Sequence, residues 1–153
     1  MLARVRSAAV LGVRAYVVEV EVDLASGLPS FTTVGLPQAA VREGRERVQA
    51  ALLNAGYELP PKRITINLAP ADIRKSGSAF DLPVALGLLA ASGQLRPAHL
   101  DGYLFLGELG LDGELRPVRG ALAIALGVRL NGLRGLVLPK SNAREAAAAP
   151  GVE

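Results

Sequence analysis

From Ala15 to Leu24 apolar and polar side chains alternate. Tyr16, Val18, Val20, Val22 and Leu24 fall on one side, and Val17, Glu19, Glu21 and Asp23 on the other. Period-two alternation rich in β-branched residues predicts a half-buried strand, and the stretch from Met1 to Leu24 reads as two strands. Ser26-Gly27-Leu28-Pro29 is turn chemistry. Phe31 to Val34 reads as a short strand that Gly35-Leu36-Pro37 breaks. From about Gln38 to Ala55 the period changes to helical, with Val41, Val48, Leu52 and Ala55 on one face. Arg42, Glu43, Arg45, Glu46 and Arg47 crowd the other, where Arg42–Glu46 and Glu43–Arg47 have the spacing of helical ion pairs. Asn54-Ala55-Gly56 predicts the stop.

Pro60-Pro61 leads into a strand, Arg63 to Leu68, whose Ile64, Ile66 and Leu68 share a face. A polar loop follows, Ala69 to Ala79. Asp81 is then expected to cap a helix by accepting from free N–H groups of its first turn, with Pro83 tolerated there. That helix runs to about Ser92, where Gly93 predicts the stop; it is apolar nearly all round, and so belongs in the core. Tyr103 to Gly107 reads as a strand, and Asp112-Gly113 between apolar residues predicts a tight hairpin. Val118 to Leu130 reads as a helix stopped by Asn131-Gly132. Gly135 to Leu138 reads as a short strand ended by Pro139. Asn142-Ala143-Arg144-Glu145 resembles a capping box before an alanine-rich helix. The order of elements predicts an α/β (α+β-like) domain with one continuous mixed sheet and helices packed on it. The helices between strands call for at least one parallel pair, and the hairpin supplies an antiparallel one.

Composition narrows the chemistry. A chain of 153 residues fits one domain. It has no cysteine, which excludes disulfides and thiolate metal sites and points to a reducing, cytoplasmic setting. The one histidine, His99, cannot build a histidine-based zinc site. Glu19, Glu21 and Asp23 share a strand face and are the sole acidic cluster; three like charges there read as a solvated face rather than a metal site. The longest apolar stretch, Leu82 to Gly93, spans 12 residues, short of the roughly 20 needed to cross a membrane. The net charge of +3, from 17 basic and 14 acidic residues, permits nucleic-acid contact without demanding it.

Nucleotide and hydrolase motifs fail on inspection. The nearest string to a phosphate-binding Walker loop, Gly135 to Ser141, is one residue short. It also places Pro139 where a glycine must present its N–H. No Ser-His-Asp arrangement has a nucleophile elbow to go with His99. The loop Arg74-Lys75-Ser76-Gly77-Ser78, closed by Asp81, is the remaining candidate interaction surface. Two cations on a glycine-containing loop suit a phosphate backbone, and an ordinary turn ahead of a helix explains them equally well.

Three blocks, VGLPQAAVRE, NLAPADIRKSGSAFDLPVAL and GELGLDGELRPVRG, resemble the start of the YifB/ComM family of Mg-chelatase-like AAA+ proteins, and the resemblance runs from Met1 to about Val152. It implies that residues 1–153 form a single ChlI-type, Lon-like N-terminal domain. A AAA+ ATPase module that carries the ATP and Mg is expected after 153, and no cofactor is expected on this chain. It also implies the superfold of the Lon protease domain, shared with a ribosomal-protein domain 2. Lon-like enzymes pair a serine with a lysine base. Carried over by position, the lysine falls at Leu122 and the serine at Ala79 or Phe80, so the resemblance implies the scaffold without the dyad. The expected function is a non-catalytic accessory and assembly domain of a DNA-handling, branch-migration-helicase-like, competence-related motor. Its expected partners are the AAA+ module of the same polypeptide, neighbouring subunits of a hexameric ring and DNA. This chain itself would not be an enzyme, while the parent would be an ATPase. The alternative is an atypical Lon-like serine peptidase domain, built around Ser78, that acts on a protein partner.

Overall fold

The computed structural model describes residues 1–130 and 132–149. Two long strands, β1 (Leu2–Leu11) and β2 (Arg14–Ala25), form an antiparallel hairpin in unbroken register from Leu2 opposite Asp23 to Leu11 opposite Arg14. Strands β3 (Ser30–Val34) and β4 (Arg63–Ala69) flank helix α1 (Ala39–Asn54) and lie parallel. β4 pairs antiparallel with β2, so the sheet order is β1-β2-β4-β3. The alternation read from the sequence sets its faces. Val18, Val20, Val22, Leu24, Ile64, Ile66 and Leu68 are buried on one side. The same side receives helix α2 (Asp81–Ala91), and α1 packs against α2. Gly87 lets α2 settle onto the sheet, because a Cβ there would stand 2.4 Å from Val22 Cγ2.

The other side of the sheet is divided. Glu19, Glu21 and Asp23 sit at one end, and Ala8, Ala15 and Val17 at the other. The latter end is covered by helix α3 (Ala121–Leu130), and with Leu104, Leu106 and Ile124 it makes a second, smaller core. Strand β5 (Tyr103–Phe105) pairs in parallel with β8 (Gly135–Val137), and β6 (Glu108–Leu109) pairs antiparallel with β7 (Leu115–Arg116). A single-turn helix, α4 (Ala143–Ala146), packs on α3.

Several local expectations give way to tertiary demands. The sheet is not continuous: β5–β8 and β6–β7 stand apart from the four-stranded sheet, because strands of two or three residues pair only with a neighbour that the fold delivers. The tight hairpin at Asp112-Gly113 does form, joining β6 to β7 through a turn closed by Gly113 N–H to Gly110 O at 2.9 Å and Gly110 N–H to Glu114 O at 2.8 Å, with Gly113 at φ 92°. Helix α3 begins at Ala121 rather than Val118, since Gly120 is left-handed at φ 79°. Its stop at Asn131 lies outside the described residues, as does the chain from Pro150 onward. Asn142 does not cap α4; its side-chain amide clasps the N–H and the C=O of Val118, both at 2.9 Å. Of the two ion pairs expected along α1, Glu43–Arg47 reaches only 4.0 Å, because Arg47 is engaged elsewhere. Both helix stops are as read: Gly56 and Gly93 take positive φ and close Schellman turns, through Tyr57 N–H to Leu52 O and Gln94 N–H to Leu89 O.

Asp81 was expected to cap α2. It is instead the first helical residue, its side chain makes no capping bond, and its carboxylate joins three elements. It accepts Arg47 Nε at 2.6 Å and Nη2 at 3.1 Å from α1, and the Leu109 N–H at 3.1 Å from β6. Arg47 also donates to Ala40 O at 2.9 Å. Burial pushes the Asp81 carboxyl above its usual range, and the Arg47 and Leu109 hydrogen bonds pull it part of the way back. The same carboxylate holds the Arg47 guanidinium more firmly protonated.

Two predictions follow from this junction. Gly44 lies inside α1, where alanine ordinarily gains about 1 kcal/mol. A Cβ at Gly44 would stand 2.6 Å from Asp81 Oδ1, and that oxygen is pinned, so Gly44→Ala is expected to lower stability in urea unfolding by about 1–3 kcal/mol. Arg47→Met leaves the carboxylate buried without its cation and is expected to cost about 3–5 kcal/mol near neutral pH. Loss of the guanidinium raises the folded-state pKa of Asp81 further. Stability linked to a raised carboxyl is fully present below the ordinary carboxylate range and is lost as pH rises through the folded value. The Arg47→Met deficit should therefore be small near pH ~4 and grow toward pH ~8; a deficit independent of pH would contradict an ionised pair.

Candidate functional site

The loop from Pro70 to Ala79 is tied down rather than free. Lys75 is fully buried. Its ammonium donates to Gly35 O at 2.8 Å and to Pro70 O. Its own backbone N–H donates to Leu36 O at 3.0 Å, and its C=O accepts from Gln38 N–H at 2.8 Å. Burial pushes the Lys75 ammonium below the usual lysine range, with Asp72 pulling it back up. The expectation of a basic surface pair is thereby divided. Lys75 spends its charge on carbonyls of its own fold, and Arg74 alone remains on the surface, its C=O accepting from Tyr16 Oη at 3.1 Å.

Anchored this way, the loop forms one wall of a cleft of about 560 Å³ where the two cores meet. Arg74, Ser76, Gly77, Ser78, Ala79 and Phe80 line that wall. The opposite wall is Pro117, Val118 and Arg119, fixed by the Asn142 clasp on Val118; the floor includes Ala8, Ala9 and Val10 of β1. The Ser78 hydroxyl donates to the Glu108 carboxylate, which also lines the cleft. Asp81, three residues after Ser78, and Leu109, one after Glu108, are the partners of the buried junction. The junction thus sets the distance between serine and carboxylate. Sequence reasoning missed Glu108 and Arg119. Both lie in the block GELGLDGELRPVRG, read there only as a hairpin; the charges at its two ends were the available signal.

The three positions where a Lon-like dyad would stand do not assemble. Ala79 is half-buried and lines the cleft, Phe80 is buried in the main core at 2% exposure, and Leu122 is 40% exposed on α3, outside the cleft lining. The acidic strand face is taken up by its neighbours. Arg4 Nε lies 3.2 Å from Glu19 and 3.2 Å from Glu21, Asn67 donates to Glu21 at 2.8 Å, and Asp23 lies 3.8 Å from the N-terminal ammonium. Among the described residues no group of three His, Cys, Asp or Glu side chains is placed to hold a metal ion, and no helix is long and apolar enough to cross a membrane.

With this geometry in place, comparison with known proteins gives the lineage. The family described as subunit ChlI of Mg-chelatase matches residues 20–142. The competence protein ComM of Haemophilus influenzae is 50% identical over 145 residues, covering 95% of this chain and 28% of the relative. The uncharacterized protein YifB of Salmonella typhimurium is 49% identical over 144 residues, covering 94% of this chain and 28% of the relative. An uncharacterized protein of Mycobacterium bovis is 42% identical over 152 residues, covering 99% and 30%. The chain thus spans less than a third of the length of these relatives. It belongs to the Mg-chelatase ChlI family, in a branch similar to ComM and YifB.

Proposed function

We propose that this chain is a non-catalytic accessory and assembly domain of a Mg-chelatase-like AAA+ motor that handles DNA, and that its own share of that work is to hold protein. One observation carries the reading: the positions that would supply a nucleophile and its base are Ala79, Phe80 and Leu122, and they lie in a cleft wall, a core and an exposed helix face. The length of the relatives beyond the matched region supports a further module, expected to be a AAA+ ATPase that binds ATP and Mg. A relative named as a competence protein supports DNA as the substrate of the whole machine. The cleft itself suits DNA poorly. It mixes Arg74 and Arg119 with Glu108 over an apolar floor, where a phosphate backbone calls for a surface of one sign. DNA contact is accordingly assigned to the motor or its ring.

A second reading, an atypical serine peptidase, draws on the Ser78–Glu108 hydrogen bond. A serine nucleophile needs a base able to take its proton. The nearest lysine in sequence, Lys75, is occupied as a donor to two carbonyls, and a carboxylate is a weak base toward a hydroxyl.

Incubation with unfolded casein and with a serine-directed fluorophosphonate is expected to give neither fragments nor label on Ser78; either one would establish the peptidase reading. Duplex DNA titrated at low salt should show no binding that Arg74→Ala removes. Salt-sensitive binding abolished by that substitution would place DNA on the loop instead.

A further inference from the structure

The floor of the cleft is the outer edge of β1, to which no strand is paired, although β5 packs beside it and the Ser7 hydroxyl donates to Phe105 O at 2.7 Å. Met1 and Leu24 exchange two hydrogen bonds, Leu24 N–H to Met1 O at 2.9 Å and the Met1 amine to Leu24 O at 2.7 Å. In an antiparallel ladder such pairs alternate with pairs whose N–H and C=O point away from one another. Since the register of β1 on β2 is unbroken, Ala3, Val5, Ser7, Ala9 and Leu11 bond to β2. Arg6, Ala8 and Val10 therefore turn their backbone groups outward. β1 is the outermost strand of its sheet, and no hydrogen bond reaches the backbone of Ala8 or Val10 from any described residue. Ala8 is only 4% exposed. An unpaired donor and acceptor at such a place are costly, and an open strand edge is a template for another strand.

The cleft above this edge carries a definite charge pattern. Arg74 and Arg119 line it and form no ion pair among the described residues, while Glu108 is taken by the Ser78 hydroxyl. Two uncommitted guanidinium groups beside a strand edge suit a carboxylate on the incoming chain, since guanidinium–carboxylate pairs are the strong, directional ones.

We propose that the cleft binds an extended polypeptide segment, which adds as a strand to β1 at Ala8 and Val10 and places a carboxylate on Arg74 and Arg119. This inference rests on the reading of the chain as a non-catalytic domain that holds protein. It adds where the partner lies, its conformation and its charge. Backbone bonds at alternate residues supply affinity and the arginines supply selectivity, as in other cases of strand addition. The bound segment stays intact, because Ala79, Phe80 and Leu122 provide neither nucleophile nor base.

The test uses a display library of randomised octapeptides, selected in parallel on the protein and on its Arg74→Ala/Arg119→Ala variant. Both arginines are on the surface of the cleft and outside the Asp81 junction, and matching urea unfolding curves check that the variant is folded. Enriched peptides are expected to alternate in character and to share an acidic position or depend on a free C-terminus. Their affinity should fall by about tenfold or more on the variant. Replacing the acidic side chain by its amide, and separately amidating the C-terminus, distinguishes the two sources of the carboxylate. A scan of the best peptide by backbone N-methylation should weaken binding at every second residue and spare those between, since only alternate N–H groups face β1.

No enrichment over a blank surface, enriched peptides without a carboxylate, or an N-methyl scan without the two-residue period would each overturn the proposal. So would displacement of the peptide by single-stranded oligo-dT at equal ionic strength. Cleavage of a bound peptide would instead sink the non-catalytic reading and leave the binding site standing.

Discussion

The carboxylate of Asp81 is nearly without solvent exposure, and three separate stretches of chain close on it. Arg47 reaches it from α1, the Leu109 N–H reaches it from β6, and its own backbone opens α2. A buried anion tolerates little freedom in its partners, since each lost hydrogen bond leaves desolvation uncompensated. The positions of α1, α2 and the β6–β7 hairpin are therefore not independent. Gly44 completes the constraint. It leaves room for Oδ1 against the helix backbone, so a residue that weakens α1 locally is what allows the junction to close.

The cleft inherits its shape from that junction and from two smaller ones. Lys75 holds the loop from inside by its ammonium, and Asn142 holds the Val118 segment by its amide. Each puts a polar group where backbone N–H or C=O groups would otherwise be buried unpaired. None of the three is a backbone bond of a β-ladder or a helix. The walls of the cleft are thus fixed by side chains, while its floor is fixed by the sheet.

This division explains what the sequence shows and what it hides. The alternation from Tyr16 to Leu24 announces β2 and its buried face because a half-buried strand must alternate, and the apolar run from Leu82 announces α2 as a core helix. Gly56 and Gly93 announce their stops because only glycine takes the left-handed turn cheaply. Asp81, Lys75 and Asn142 are misread for one shared reason. Local rules assign an Asp ahead of a helix to a cap, a Lys in a polar loop to the surface, and an Asn before alanines to a capping box. Each of these side chains bonds instead to a partner distant in sequence or inside the fold: Asp81 to Arg47 across 34 positions, Asn142 to Val118 across 24, and Lys75 to Gly35 across 40. The split of the sheet is hidden for a related reason. Strands as short as Glu108–Leu109 and Leu115–Arg116 carry no period of their own.

A buried ion pair is a weak source of stability, and apolar residues of similar volume often serve as well or better. What it supplies is position. In this chain the positions supplied are those of Ser78 and Glu108, and both line the same cleft. The hydroxyl–carboxylate contact fixes the one carboxylate in the lining, Glu108, while Arg74 and Arg119 line the same cleft without an ion pair among the described residues. Beneath them lies the outer edge of β1, where the backbone of Ala8 and Val10 has no hydrogen-bond partner among the described residues. Serine catalysis would require a stronger base beside Ser78 than the carboxylate it donates to, whereas strand addition requires an outer strand edge and a rigid rim. The proposed strand addition draws on the second set of features.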